Sequence, residues 1–352
     1  MIELSKKIID LIENAQSNLA KAANSTMVFT YFQIGNLLVE ELQKGENRAE
    51  YGTGLLQSVS SELTNKIGKG FSVQNLERMR NFYIMYSNSS KELRNSEIFG
   101  KSSNLLRISK NAGENTITLL PISWSHYLFL MRIDNEVERQ FYEIESFNSQ
   151  WTLKELERQF NSGLFERLSL SKDKSQVMNL AQRGHIVENP RDVFKNPIIL
   201  EFLGLDENSS YSETDLETAI INQIEKFMLE LGKGFFFGGR QVRFTFDEEH
   251  FFVDLVFYNR ILKCFVLIDL KIGKLKHQDL GQMQMYMNYY DRFVKQDDES
   301  PTIGIIVCKQ KNEAVVEISL PKDNQQLFAA KYQTILPSKE ALKQLIERNY
   351  EQ

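Results

Sequence analysis

The stretch FFVDLVFYNRILKCFVLIDLKIGK, residues 251–274, contains two apolar runs joined across residues 259–260. Short runs rich in β-branched and aromatic residues, bounded by polar ones, are typical of β-strands. The stretch is therefore predicted to form a β-hairpin. Three ionisable residues interrupt the apolar runs, namely Asp254, Asp269 and Lys271.

The three ionisable residues are predicted to share one face of the hairpin. Side chains alternate along a strand, so Asp269 and Lys271 point the same way. With a turn centred on residues 259–260, Asp254 lies opposite Phe265, which has the same parity as Asp269. Such a two-residue turn leaves the two acids four residues out of register, roughly 13 Å along the strand. Both acids can hold one metal ion only if the turn is longer or the strand bends.

Two acids beside a lysine suit the hydrolysis of a phosphodiester. An unpaired buried carboxylate costs several kcal/mol, so it needs a hydrogen bond, an ion pair or a metal. Carboxylate oxygens hold Mg²⁺, the ion polarises the phosphate and lowers the pKa of a bound water, and the lysine positions or activates that water. The alternative is that Asp269 and Lys271 belong to a buried ion-pair network without catalytic function.

Composition narrows the class of protein. With 352 residues, 42% hydrophobic and 25% charged, the chain is predicted to be globular with two domains. Its apolar runs are shorter than the roughly 18 residues of a membrane span, and its first residues do not resemble a signal segment. We therefore expect a soluble, cytoplasmic protein with no membrane partner. The net charge of −5 argues against a general nucleic-acid coat protein but does not exclude a local basic groove.

The cysteines and histidines argue against disulfide, zinc and haem proteins. Cys264 and Cys308 lack the paired spacing of a disulfide framework or a zinc site. The four histidines form no HxxxH or HxH pair.

The two halves of the chain differ in pattern. Residues 1–170 are predicted to form a helical domain, residues 171–197 a linker region, and residues 198–350 a mixed α/β domain. In the first half, helices are predicted around Ile8–Ile12, Phe29–Leu38, Leu55–Ile67, Ser72–Tyr83, Trp124–Arg132, Glu136–Glu145 and Leu153–Phe160. Residues 87–116, rich in Ser, Asn and Gly, are predicted to be a long loop or the remnant of a β-wing.

In the second half, helices and strands alternate. The predicted helices are Leu216–Leu231, ending at Gly232, then Gln278–Phe293 and Leu342–Tyr350. The predicted strands are Phe235–Phe237, Val242–Phe246, Phe251–Tyr258, Leu262–Leu270, Ile303–Cys308 and Ala314–Ile318.

The order of Asp254, Asp269-x-Lys271 and a helix with Gln282-x-x-x-Tyr286 resembles the PD-(D/E)xK nuclease superfamily, and more closely the YhcG family of nucleases. The resemblance covers nearly the whole chain. It extends to the segments YFQIGNLLVEE, GKGFSVQNLERMRNFY, SWSHYLFLMRI, ELGKGFFFGGRQ and GIIVCKQKNE. It implies an N-terminal winged-helix-like DNA-binding domain joined to a C-terminal restriction-endonuclease-like α/β domain, with a central mixed sheet flanked by helices.

The resemblance assigns roles to the ionisable residues. Asp254 and Asp269 correspond to the metal-binding acids and Lys271 to the catalytic lysine. Position 269 is usually Glu in this family, and Asp shortens the side chain by one methylene. The superfamily's first helix often supplies a further acid for catalysis and the metal, and Glu217 is the matching position. The alternative for Glu217 is a capping box, in which its side chain bonds the backbone N–H of Thr214.

Further residues are candidates for catalysis or DNA binding. Gln282 and Tyr286 lie one helical turn apart, where the glutamine could hold the lysine or a phosphate and the tyrosine could pack or bond beside it. Four more residues of the second half are basic or amide residues that could contact DNA phosphates. The alternative is that they are simply exposed to solvent. These residues are Arg240, Gln241, Lys274 and Lys276.

In the first half, a helix-turn-helix is predicted around the Gly68-Lys69-Gly70 turn. Asn75, Arg78 and Arg80 lie on its second helix, and Arg and Asn are residue types that contact guanine and adenine edges in the major groove. A protein-binding helical bundle is the alternative for this half.

Together these features predict a Mg²⁺-dependent DNA endonuclease, with Mn²⁺ as a substitute, in which a homodimer cuts both strands. Defence against foreign DNA is the expected context. One alternative is a catalytically inactive DNA-binding or adaptor protein that retains the nuclease fold, and another is a protein-interaction module.

Overall fold

The computed structural model describes residues 2–44, 49–87, 106–108, 117–170, 174–205, 210–321 and 323–344. The chain divides into two compact units. The helical unit comprises Met1–Arg158 and Lys174–Gly184, and the α/β unit comprises Gln159–Asp173 and His185–Gln352. The domain limits expected from the sequence stay a prediction. Within the described ranges, no helix combines the length and the apolar character needed to cross a membrane.

The helical unit contains most of the elements before residue 184. In chain order these elements are α1 (Ile2–Lys44), α2 (Ala49–Lys66), α3 (Val73–Ser87), β1 (Leu106–Ile108), β2 (Ile117–Leu119), α4 (Trp124–Leu130), α5 (Glu136–Asn148), α6 (Leu153–Asn161), α7 (Leu164–Ser169) and α8 (Lys174–Arg183). Of these, α7 belongs to the α/β unit. The predicted helical character of the first half is confirmed, but the half is not all-helical, because β1 and β2 form an antiparallel pair.

The long helix α1 replaces two predicted helices. Residues 13–28, between the two apolar groups, contain neither glycine nor proline, so nothing in the sequence breaks the helix. The hydroxyl groups of Thr26 and Thr30 donate to carbonyl oxygens one turn earlier, as they do inside a continuous helix. Gly35 allows α1 to contact α3 closely, because a Cβ there would lie 2.2 Å from the carbonyl oxygen of Met79.

Aromatic side chains from α1, α3 and α4 form the centre of the helical unit. The ring of Phe82 lies 4.9 Å from those of Tyr86 and Tyr127 and 5.2 Å from that of Trp124, measured between centroids. Phe82, Tyr86 and Tyr127 are fully buried or nearly so. Burial of large rings is the main favourable contribution to packing these helices.

A short two-stranded sheet lies where a loop or the remnant of a β-wing is predicted. β1 and β2 pair antiparallel, with Leu106 opposite Leu119 and Ile108 opposite Ile117. The rest of the predicted segment, at 88–105 and 109–116, lies outside the described residues.

The α/β unit contains the sheet and its flanking helices. Its remaining elements are short 3-10 helices at Pro190–Val193 and Glu201–Leu203, then β3 (Ile198–Ile199), α9 (Glu213–Asn222), α10 (Ile224–Leu231), β4 (Phe235–Phe246), β5 (Glu249–Asn259), β6 (Cys264–Lys274), α11 (His277–Phe293), β7 (Ile303–Gln310), α12 (Glu313–Ser319) and β8 (Leu327–Gln333). Residues 339–344 are helical, and the rest of the predicted last helix lies outside the described residues.

The sheet has six strands in the order β3-β8-β7-β6-β5-β4. β4, β5 and β6 pair antiparallel, whereas β6, β7, β8 and β3 pair parallel. The predicted mixed sheet flanked by helices is therefore confirmed.

Helices cover both faces of the sheet. On one face, Leu216 of α9 and Phe227 of α10 pack with sheet residues such as Ile268. On the other face, α11 packs its buried residues against β6 and β7. Gly304 in β7 permits this contact, because a Cβ there would lie 2.6 Å from the side chain of Met283.

Three local predictions for the second half are wrong. The predicted helix Leu216–Leu231 is two helices, because the backbone at Gln223 leaves the helical conformation. The segment Ala314–Ile318 is helical, since the Asn312 side chain accepts a hydrogen bond from the N–H of Val315 and caps α12. The predicted strands Phe235–Phe237 and Val242–Phe246 are one strand, β4. In addition, β8 was not predicted.

Candidate active site

The turn between β5 and β6 is longer than the sequence suggested. The last paired residues are Asn259 and Cys264, so residues 260–263 form a four-residue connection. The side-chain oxygen of Asn259 accepts hydrogen bonds from the N–H groups of Ile261 and Leu262, at 3.0 and 3.2 Å. This side-chain turn fixes the chain where a two-residue turn was predicted.

The longer turn brings the two predicted metal-binding acids level. Leu255 pairs with Ile268, and continuing this register by one residue places Asp254 opposite Asp269. The prediction that Asp254 lies opposite Phe265 is therefore wrong. A longer turn, or a bend, is required for both acids to hold one metal ion, and the structure has the longer turn.

β5 and β6 separate at the two acids. The carboxylate of Asp254 accepts a hydrogen bond from the backbone N–H of Leu270 at 2.8 Å, in place of a strand-to-strand bond. Asp254 is half-buried, and Asp269 is only 3% exposed. The site is thus a carboxylate pair at a fork between two strands.

Lys271 lies beside the more buried acid. Its Nζ is 2.8 Å from Oδ2 of Asp269, a buried oxygen that accepts no hydrogen bond of regular geometry. Burial raises the pKa of Asp269 to about 7, although the charge of Lys271 opposes this and that of Asp254 adds to it. Burial also disfavours the charged form of Lys271, but the adjacent Asp269 outweighs it and the pKa of the lysine lies above its ordinary value. Lys271 is therefore protonated at neutral pH.

Glu217 of α9 joins the site through two residues of β4. Its carboxylate accepts hydrogen bonds from Nε of Arg240 and, at 2.7 Å, from Nε2 of Gln241. The same Gln241 nitrogen donates to Asp254 at 3.0 Å, so one amide links two acids. Gln241 has a positive φ of 47° and sits opposite Asp254, between residues of β4 that pair with β5 in one register.

The capping box of α9 uses other residues than those predicted. The Ser212 hydroxyl accepts a hydrogen bond from the N–H of Asp215, and the Asp215 carboxylate accepts one from the N–H of Ser212. The capping alternative for Glu217 with Thr214 is therefore wrong. Its side chain is free of the helix terminus and faces the sheet residues instead.

Glu213 is a site residue that the sequence did not identify. Its carboxylate lies 3.8 Å from Nζ of Lys271 and accepts a hydrogen bond from the N–H of Ile272 at 3.4 Å. Its position in the first turn of α9 indicated only a favourable interaction with the helix terminus.

Gln282 and Tyr286 of α11 contact each other. The Gln282 amide donates to the Tyr286 hydroxyl. Tyr286 is 2% exposed, and burial raises its pKa, with the charges of Asp269 and Asp254 adding to the effect. The tyrosine is therefore close enough to the carboxylate pair to feel its charge.

The remaining predicted DNA-binding residues are differently placed. Lys274 and Lys276 are exposed after Lys271 on the way into α11. In the helical unit, the Asn75 side chain donates to the carbonyl oxygen of Gly70 and accepts from Arg78 at 3.0 Å.

The three predicted DNA-binding residues of α3, Asn75, Arg78 and Arg80, differ in their contacts and exposure. Asn75 closes the turn before the helix. Arg78 is exposed and Arg80 is half-buried.

The carboxylate pair suits a divalent metal ion. Hard carboxylate oxygens are the ligands that Mg²⁺ prefers, and Asp269 offers a buried oxygen with no regular hydrogen bond. A bound cation would also offset the burial that raises the pKa of Asp269. Within the described residues, no three acidic, histidine or cysteine side chains are grouped as a metal site. Glu217, the predicted third ligand, is engaged by Arg240 and Gln241.

Two family comparisons cover most of the sequence. Residues 191–347 match the family described as "YhcG PDDEXK nuclease domain", and residues 7–167 match the "DUF1016 N-terminal domain". The chain is also 36% identical over 343 residues to "Putative nuclease YhcG" of Escherichia coli (strain K12), an alignment that covers 95% of this chain and 90% of that protein. The chain belongs to the YhcG family.

Membership of the YhcG family confirms the resemblance drawn from the sequence motifs. The α/β unit contains the residues that match the PDDEXK nuclease domain, and its mixed sheet carries Asp254, Asp269 and Lys271. A crystal structure of a repair endonuclease from Pyrococcus abyssi aligns with 37% of this chain and 50% of its own, at 16% identity and a TM-score of 0.25.

Proposed function

We propose that the protein is a divalent-metal-dependent endonuclease that hydrolyses phosphodiester bonds in DNA. The observation that carries the proposal is the pair of carboxylates, Asp254 and Asp269, set level at a strand fork with Lys271 2.8 Å from the second. Membership of a PDDEXK nuclease family supports the same reaction class.

In this proposal Asp254 and Asp269 hold the ion, which is Mg²⁺ with Mn²⁺ as a substitute. When bound, the ion polarises the scissile phosphate and makes a water molecule more acidic. Asp269 has a shorter side chain than the Glu usual at this position in the family, and the strand register places it level with Asp254. Glu217 is the proposed third acid, and it reaches the ion only if Arg240 and Gln241 release it.

Lys271 acts as a cation in this proposal. Because its pKa lies above the ordinary value, it is protonated at neutral pH and has no free lone pair with which to accept a proton. It therefore donates hydrogen bonds that orient the attacking water and stabilise charge on the phosphate.

Residues around the acids are proposed to position the substrate. Gln282 is exposed next to Tyr286 and can donate to a DNA phosphate, while the buried tyrosine holds it in place. Arg240 and Gln241 can exchange their carboxylate partners for a phosphate, since a guanidinium binds both. Lys274 and Lys276 extend the basic surface beyond the motif.

The helical unit is proposed to be a winged-helix-like DNA-binding domain. The α2–turn–α3 arrangement and the antiparallel β1–β2 pair support this assignment. In it, Arg78 and Arg80 contact DNA from α3, and Asn75 orders the turn as well as facing the groove.

Two further parts of the proposal concern assembly and biological context. A homodimer would supply one site for each strand of a duplex. A function in defence against foreign DNA and a cytoplasmic location rest on family membership alone.

The proposal is tested by incubating the purified protein with supercoiled, linear and branched DNA in Mg²⁺, Mn²⁺ or EDTA. We expect metal-dependent cutting that Lys271→Ala abolishes and that Lys226→Ala, at an exposed lysine of α10 in the same unit, leaves within about threefold. Binding without cutting by the native protein would support the catalytically inactive alternative. Absence of both binding and cutting would support the protein-interaction module.

A further inference from the structure

An aromatic groove lies between the end of β4 and α11, outside the carboxylate site. We define it by Phe244 and Phe246 of β4 and Tyr289, Arg292 and Phe293 of α11, and it has a volume of about 350 Å³. This size is at the lower end of the roughly 300–1,000 Å³ range of small-ligand pockets, so it suits one flat ring system.

The groove exposes aromatic surface that a solvated strand and helix would not need. Phe246 is 54% exposed and Phe293 is 62% exposed, and their ring centroids lie 6.4 Å apart. The floor is more rigid, because Phe244 stacks on Tyr289 with centroids 4.1 Å apart and an interplanar angle of 24°. Exposed aromatic rings over a packed floor mark a binding surface.

The other lining groups favour a nucleobase over an apolar ligand. Gln284 and Asn288 place two exposed amides at the groove, and amides pair with the hydrogen-bonding edges of bases. Of the described residues that line it, Arg292 is basic and none is acidic, which complements a polyanion despite the net charge of −5.

Packed aromatic rings connect the groove with the carboxylate site. The ring of Phe244 meets that of Tyr286 edge to face at 5.4 Å, and Tyr286 feels the charges of Asp254 and Asp269. Along β4, Phe244 is three residues from Gln241, roughly 10 Å, a length of about three stacked nucleotides.

We propose that the aromatic groove binds an unpaired nucleobase of the DNA strand whose phosphodiester lies at the carboxylate site. The proposal rests on the proposed nuclease function and names its substrate as DNA with unpaired bases. Aromatic side chains stack on bases only where those bases are unpaired, because a duplex presents phosphates and groove edges. A forked, flapped or single-stranded substrate fits these groups, and a continuous duplex does not.

The test measures binding of the full chain to a fluorescent 20-nucleotide oligo-dT strand, its duplex and a forked duplex, all in EDTA to prevent cutting. Phe246→Ala and Phe293→Ala are each expected to weaken binding to the single strand and the fork on the order of tenfold, with the duplex little changed. Phe236→Ala is the matched control, since Phe236 also lies on β4 and is 55% exposed. A 2-aminopurine base in the strand is expected to be quenched by the native protein and less by both groove variants.

Three outcomes would overturn the proposal. One is unchanged single-strand affinity in both groove variants, and another is an equal loss in Phe236→Ala. The third is a change of oligomeric state with unchanged DNA affinity, which would make the groove an interface between copies of the chain. A cutting assay separates the groove proposal from the nuclease proposal. Metal-dependent cutting that is lost in Lys271→Ala, together with unchanged single-strand binding in both groove variants, would contradict the groove proposal and still support the nuclease function.

Discussion

The hairpin at residues 249–274 and helix α3 both present predicted functional residues, but they hold them differently. In the hairpin, the register of β5 and β6 brings Asp254 level with Asp269, and a backbone N–H of β6 donates a hydrogen bond to the Asp254 carboxylate. On α3, Asn75 and Arg78 bond each other and the preceding turn. Charged residues inside apolar strands thus indicate a site, whereas polar residues on an exposed helix can satisfy one another locally.

The largest effect is expected from removing a charge at the hairpin. Asp254→Asn keeps the shape of the side chain but removes a negative metal ligand, so the rate of metal-dependent DNA cutting should fall on the order of a thousandfold. Single-turnover cleavage of a labelled substrate measures this rate. Asp297→Asn, at an exposed acid of the same unit, is the control and should leave the rate unchanged. If Asp254→Asn cut DNA at the native rate, the hairpin would not be the active site.

Helix α3 should show a smaller effect of a different kind. Arg78→Ala is expected to weaken DNA binding about tenfold, as for loss of one phosphate or base contact, without slowing cutting at saturating DNA. Binding titrations at two salt concentrations measure the effect. Lys66→Ala, an exposed lysine of α2 paired with Glu62, provides the comparison. Equal affinities of the two variants would favour a helical unit that binds protein.

The stability of the protein should depend on pH because Asp269 of the hairpin is buried, unlike an ordinary surface carboxylate. Because the pKa of Asp269 is about 7 in the folded chain and near 3.9 when unfolded, its contribution is fully present below about pH 4 and lost as pH rises through about 7. Asp269→Asn removes this loss, so in EDTA its Tm should rise relative to the native protein by a few degrees between pH 5 and pH 8. Thermal unfolding at both pH values measures it, and a constant Tm difference would contradict the burial argument.

The smallest effect concerns the start of α9, which carries Glu213 and Glu217. Ser212→Ala should lower the free energy of unfolding by about 1 kcal/mol, because the hydroxyl caps the helix. Thr214→Ala should cost much less. Chemical denaturation compares the two, and a larger loss in Thr214→Ala would restore the capping box that the sequence suggested.

Many helices and strands can be predicted from the periodicity of apolar residues, but the pairing register of β5 with β6 cannot. The hairpin, the helix α11 and the strand β7 are recognisable because their apolar patterns are long and bounded by polar residues. The turn length depends on a side-chain bond of Asn259, and no pattern in the sequence states which N–H groups that side chain will cap.

Short segments fail for another reason. Val315 and Val316 are β-branched and suggest a strand, yet the cap at Asn312 and packing on the sheet make the segment helical.

The candidate site was partly predictable. Asp254, Asp269 and Lys271 interrupt apolar runs, and the structure brings them together. The contact of Glu217 with Gln241 joins residues 24 positions apart, and the approach of Glu213 to Lys271 joins residues farther apart still. Such contacts depend on how α9 packs, which a single sequence does not specify.

Asp254 and Asp269 are proposed to hold a divalent cation together, and a titration with Mn²⁺ followed by electron paramagnetic resonance measures this binding. We expect the native protein to bind Mn²⁺, and we expect Asp254→Asn and Asp269→Asn each to weaken that binding at least roughly tenfold. Native protein that binds no Mn²⁺, or binding that neither substitution alters, would contradict the proposal.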